Sequence, residues 1–136
     1  MRRIVLYYTI WALLILPLSA GASEPVDLAV SINQLRYERG LPYLSGDWTL
    51  DMYAQAHAER MAAVGYLYHS NIERLLGPWQ RVGENVGVGD TIWHLLGAFQ
   101  GSPSHADNLF GYWTHLGVGL AVDASGRMWV AIVVTS

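Results

Sequence analysis

Hydrophobic positions along this chain form one unbroken block and then a series of periodic stripes. The block is Ile4–Leu18, an uncharged run behind Arg2 and Arg3. Beyond it, Leu28, Ile32 and Leu35 recur at helical spacing until Gly40 and Pro42 interrupt them, which predicts a helix over 26–39. A second stripe of Leu50, Tyr53, Ala54, His57, Met61 and Val64 follows a capping stretch at Ser45–Asp47 and ends at Gly65. Residues 66–81 show no period and read as a long loop with a turn near 71–76. Such loops in compact domains often carry function.

The next stretches change period. In the segment Gly83–Gly89, Glu84, Val86 and Val88 share one face of an extended chain, and the glycines and Asn85 share the other. Ile92, Leu95, Leu96 and Phe99 return to helical spacing, and Ser102-Pro103 starts a short helix with Ser102 as N-cap. Leu116, Val118, Leu120 and Val122 then alternate with Gly117, Gly119 and Ala121, and a turn at 123–126 leads to a last strand over 128–134. These two strands predict a hairpin. The small face of the first predicts that a helix packs very close to the sheet. Helices on a short sheet give an α+β domain, expected as a three-layer α-β-α sandwich with a small antiparallel sheet.

The apolar block reads as a targeting segment. Ala20 and Ala22 supply a small-x-small cleavage pattern after Pro17, so residues 1–22 are expected to be a signal peptide and 23–136 the domain. A retained anchor is the alternative, but the run is short of the ~20 apolar residues that span a bilayer. Removal of Arg2 and Arg3 would take the formal charge from -3 to -5. The protein is therefore expected to be secreted or in the cell envelope, with no stable membrane span after cleavage.

Composition narrows the chemistry. Only 14% of residues are charged and none is lysine, which excludes a disordered chain and gives no basic footprint for nucleic acid. With no cysteine there is no disulfide, thiolate ligand or cysteine nucleophile. A domain of this size can still fold on its core alone. Three clusters then stand out: His69-Ser70, Gly83-Glu84-Asn85, and Ser102-Pro103-Ser104-His105 with Asn108. They are far apart in sequence, so only the fold can assemble them. Glu84 shares parity with two valines, and a carboxylate on an apolar face needs a partner. His105 falls in the first turn of a helix, where the macrodipole disfavours imidazolium. His57 sits on an apolar stripe and reads as core, His94 reads as solvent-facing, and His115 stands just before a strand. No strand-turn-helix elbow surrounds Ser70, Ser102 or Ser104, so a Ser-His-Glu triad has little support.

The segments SINQLRYERGLPYL, LDMYAQAHAERMA, HS, GENVGVG, FQGSPSHADNLF and HLGVGLAVDASGRMWV, in this order, resemble the CAP (SCP-like) family of cysteine-rich secretory proteins, insect-venom antigens and plant pathogenesis-related proteins, in its bacterial, cysteine-free form. The resemblance implies an α-β-α sandwich with a central cleft carrying two histidines and two acids. His69 matches the first histidine, Glu84 the glutamate of the GEN motif and His105 the second histidine. The remaining acid would fall at Ser102, three positions after Phe99, and is missing here. The resemblance also implies a divalent-metal site, Zn2+ or another cation, at His69 and His105, with one carboxylate and a water completing it.

Three functions fit this set. The first is an extracellular module whose cleft, with His69, Glu84, Ser102 and His105, binds a small lipid, peptide or cell-wall ligand. The second is a metal-assisted hydrolase with Glu84 as base. The third is a purely structural His-Glu cluster. The missing acid and the absent nucleophile favour the first.

Overall fold

The computed structural model describes residues 25–136. The expected signal peptide, 1–22, lies outside the described residues. The elements follow the sequence pattern closely: α1 (Pro25–Glu38), β1 (Ser45–Gly46), α2 (Trp48–Val64), a 3-10 turn (Ile72–Leu75), β2 (Val82–Gly89), α3 (Ile92–Gln100), α4 (Pro103–Phe110), β3 (His115–Val122) and β4 (Met128–Thr135). The sheet order is β1-β3-β4-β2. β4 pairs antiparallel with both β2 and β3, so that Val133 lies between Glu84 and Gly117. The two-residue β1 adds to β3 in parallel. Ser45 and Gly46 are exposed and carry no apolar signal, so the hydropathy pattern does not reveal this strand.

The alternation of β4 separates two cores. Val130, Ile132 and Val134 join Leu28 and Ile32 of α1, Leu95, Leu96 and Phe99 of α3, and Leu109 of α4. Trp129, Ala131 and Val133 join Leu50, Ala54, Ala58 and Met61 of α2, together with Val86. The protein is thus a three-layer sandwich, with α2 on one face of the sheet and α1, α3 and α4 on the other. Val64 is the exception on the α2 stripe: it is exposed, because Gly65 ends the helix in a left-handed turn one residue later.

β3 has a small face because α2 lies on it. A Cβ added at Gly117 would collide with the backbone of Leu50 and Asp51, and one at Gly119 with the backbone of Ala54 and Gln55. Polar side chains of α2 also close the outer edge of β3 beyond β1. The Asp51 Oδ1 accepts from Val118 N–H at 2.9 Å, and Gln55 both accepts from Leu120 N–H and donates to its carbonyl at 2.9 Å. The helix start is fixed by Asp47, whose side chain accepts from Leu50 N–H.

Two polar anchors lie outside the cleft motifs. Arg36 is buried on the stripe of α1 and donates to the carbonyls of Pro42, Leu109 and Gly111 at 2.9, 2.8 and 3.1 Å. Burial lowers its pKa from the usual arginine value, and the end of α4 supplies the negative dipole end that a buried cation needs. At the β3–β4 turn, Asp123 accepts from the Ser125 hydroxyl, the Trp129 indole, the Arg127 guanidinium and two backbone N–H groups. These bonds, the Ser125 hydroxyl first and the Trp129 indole next, hold its carboxyl well below the usual carboxylate range.

Two predictions follow from this packing. Gly119→Ala is expected to destabilise the protein by about 2–3 kcal/mol through overpacking. Gly97→Ala, in the interior of α3 with open space around it, should instead stabilise by about 0.5–1 kcal/mol. Urea melts of the two variants check the contrast, and equal signs would contradict it. For Asp123 the folded pKa is depressed, so its stabilisation is present above the unfolded carboxyl value of about 4 and fades in acid. Asp123→Asn should therefore lower Tm at pH 7 and lose most of that deficit at pH values near 2; a deficit independent of pH would contradict this assignment.

Candidate functional site

β2 is an edge strand, and its two faces carry the two halves of the expected cleft. Glu84 faces the α2 layer, as its parity with Val86 requires. Its carboxylate is buried, with a side-chain exposure of 2%. Three donors converge on it. Oε1 accepts from the His69 Nδ1 at 2.8 Å and from Ser70 N–H at 2.9 Å, and Oε2 accepts from the Ser70 hydroxyl at 2.6 Å. Tyr53 of α2 extends the chain by donating to the Ser70 Oγ at 3.0 Å. Both carboxylate oxygens are thereby engaged, which offsets the cost of placing this group beside an apolar core.

His69 is the outward end of this network. Its side chain is 62% exposed. With Nδ1–H directed at the carboxylate, the neutral ring carries its lone pair on Nε2, which no hydrogen bond from the described residues occupies. The loop that presents it is held from behind by the same helix. His57, buried on α2 as expected, bonds through Nε2 to the Tyr68 carbonyl at 2.7 Å and packs edge-on against the Tyr68 ring. Its Nδ1 is buried without a partner among the described residues, so within them its place in the core rests on that one bond and on ring packing.

The second half lies on the other face of β2. The Asn85 side chain donates to the His105 carbonyl at 2.9 Å, and Asn108 donates both to the Glu84 carbonyl at 3.1 Å and to the Asn85 Oδ1 at 2.9 Å. α4 sits close because the facing positions of β2 are small: a Cβ at Gly83 would strike the Asn108 side chain, and one at Gly87 would lie 2.8 Å from the Phe99 ring. The His105 ring packs on Phe99 at 5.2 Å and bonds through Nδ1 to the Ser102 Oγ at 2.8 Å. Ser102 occupies the N-cap position of α4, but its side chain makes no capping bond; the hydroxyl is turned to the imidazole three residues on.

The expected residues are thus all near β2, but not all together. His69, Ser70 and Glu84 form one network, while Ser102 and His105 form another with Asn85 and Asn108. Among the described residues no hydrogen bond or ion pair links His105 to His69 or Glu84. Nor does any group of three or more His, Asp or Glu side chains among them converge as a metal would need. The donor set does not fit a closed tetrahedral zinc centre, because the carboxylate that would be a ligand is spent on His69 and Ser70. His94 is exposed on α3, as expected. His115 opens β3 and packs on Trp79 at 4.5 Å. Sequence reasoning did not find the Tyr53 link: a polar-tipped residue one turn before His57 on an otherwise apolar stripe is the available signal.

Comparison with known proteins follows the same lines. The model of the cysteine-rich secretory protein family, CAP, matches residues 31–134. No curated protein matches the chain. Among solved structures, the chain is similar to an outer surface protein from Borrelia burgdorferi, with a TM-score of 0.71, 18% identity, and coverage of 80% of this chain and 89% of that one. It is also similar to an extracellular protein containing a SCP domain from Bacillus anthracis, with a TM-score of 0.69, 21% identity, and coverage of 81% and 39%. A cysteine-rich secretory protein from Staphylococcus aureus gives a TM-score of 0.69 at 15% identity, with coverage of 88% and 40%. The chain spans about two-fifths of the length of the last two proteins. At these identities the likeness is one of fold.

The network orders the effects of substitution. Ser70→Ala removes the only hydrogen-bond donor to the Glu84 Oε2 among the described residues and should cost about 1–3 kcal/mol, whereas Tyr53→Phe should cost about 0.5–1.5 kcal/mol. Thermal melts of both variants test this, and a Tyr53→Phe loss larger than that of Ser70→Ala would contradict the hierarchy.

Proposed function

The chain belongs to the cysteine-rich secretory protein (CAP) family, and on that premise we propose that it is an extracellular binding module without catalytic turnover. Its ligand site is the surface on the α2 side of β2 from which the exposed His69 ring projects, and His69 is the contact residue. The observation that carries this reading is the pairing of an exposed imidazole with a buried carboxylate. Glu84 fixes the tautomer and direction of the His69 ring, so that Nε2 points outward as a preorganised acceptor for a ligand hydroxyl or amide. The ligand is accordingly a small molecule, a lipid headgroup, a peptide or a cell-wall fragment that offers such a donor. Export is supported by the descriptions of similar structures as extracellular and outer surface proteins. Among the described residues no helix is long and apolar enough to cross a membrane.

The same geometry disfavours a hydrolase. A general base must reach the proton it removes, whereas the Glu84 oxygens are turned to three protein donors and shielded from solvent. The reading also needs no metal. Peptide and ester libraries incubated with the purified protein should yield no products by mass spectrometry. Screening the same libraries by NMR should give members that shift the His69 ring signals but leave those of His94 in place. Turnover that disappears in Glu84→Gln would replace this reading with the hydrolase. Zinc titrated by calorimetry gives a further check: a tight site abolished by the His69→Ala, His105→Ala double variant would show that the two halves of the cleft close on a metal.

A further inference from the structure

The geometry points to a second ligand site at the opposite edge of the sheet: we propose that the groove between α1 and α2 takes an amphiphile with an apolar body and a cationic head. This goes beyond the His69 site and shares no residue with it. The groove has a volume of about 520 Å3, within the ~300–1,000 Å3 range of small-molecule clefts. Leu116 and Val118 of β3 form its floor, and Val30, Tyr43, Trp48 and Met52 line it from α1, the strand approach and α2. These four side chains are 61, 61, 75 and 53% exposed. Large apolar groups left open to water around one concavity mark a binding surface.

What can bind there is restricted by the floor. The Val118 N–H is already taken by Asp51, and the Leu120 N–H and carbonyl by Gln55. An extended peptide therefore cannot add to β3 as another strand beyond β1. Recognition falls to side chains, and their charge has one sign. Asp51 is the only charged residue among the described lining residues. Its Oδ1 holds the Val118 N–H, while Oδ2 has no hydrogen-bond partner within the described chain. A carboxylate in a groove that Trp48 and Tyr43 also line attracts an ammonium head by charge, and the two aromatic rings offer it cation–π contact. The same carboxylate repels a fatty acid or an anionic phospholipid headgroup.

The test compares three probes of one chain length: dodecyltrimethylammonium, dodecanol and dodecanoate, each titrated in monomeric form into the purified protein. Calorimetry should show the cation binding about tenfold tighter than the carboxylate. Tryptophan emission should shift to the blue on binding, and Trp48→Phe should remove that shift. Asp51→Asn retains an oxygen for Val118 N–H and should bring the cation and the alcohol within about twofold of each other; a thermal melt confirms that it is folded. Val30→Lys with Met52→Lys, both at exposed positions, should abolish binding of the cation, and His69→Ala should leave it unchanged. The site is overturned if dodecanoate binds as tightly as the cation, if the double lysine variant binds normally, or if binding requires His69.

Discussion

The position of α2 on the sheet determines most of what this protein can do. At Gly117 and Gly119 the helix backbone lies where side chains of β3 would otherwise stand, so the depth of the helix is set by backbone rather than by deformable side chains. Three rows of α2 then take distinct duties. Leu50, Ala54, Ala58 and Met61 fill the core below. Asp51 and Gln55, one turn apart on one flank, close the edge of β3. Tyr53 and His57, one turn apart on the other flank, reach Ser70 and the Tyr68 carbonyl. A shift of the helix would disturb all three rows at once, and with them the loop that carries His69.

This arrangement explains why the site is split across β2. Residues of even number on that strand face α2 and meet the loop 68–70, while odd-numbered ones face α3 and α4. Glu84 and Asn85 are adjacent in sequence, yet each anchors a different half. The His69 half has an exposed ring on a buried carboxylate, which is a presenting arrangement. The other half ties α4 to the strand through two asparagines, which is a holding arrangement. His69, Ser70 and Glu84 thus share one network and Asn85, Ser102, His105 and Asn108 another, and the two take different roles.

Much of the fold was legible in the sequence because it rests on periodicity. The helical stripes of Leu28–Leu35 and Ile92–Phe99 and the alternation of Leu116–Val122 carried α1, α3 and β3, and the small face of β3 announced the close helix. Glu84 was legible in kind, since its parity with Val86 and Val88 demanded a partner. Its partners could not be ranked, because the aperiodic loop 66–81 decides which donors arrive. β1 was hidden, being two exposed residues recruited by backbone pairing alone. Arg36 stands four positions after Ile32 on an apolar stripe, a signal overridden by the usual exposure of arginine. The split of His105 from His69 depends on which side of an edge strand each approaches, and no local pattern encodes that.

The central claim is that buried Glu84 fixes His69 with Nδ1–H inward and Nε2 free. Nitrogen-15 NMR of the histidine rings in the ligand-free protein at neutral pH tests it most directly. The account predicts that the neutral His69 ring is held in the Nδ1–H tautomer and reverts to the usual mixture in Glu84→Ala. A His69 ring in the Nε2–H form, or one whose tautomer ignores the loss of Glu84, would contradict it.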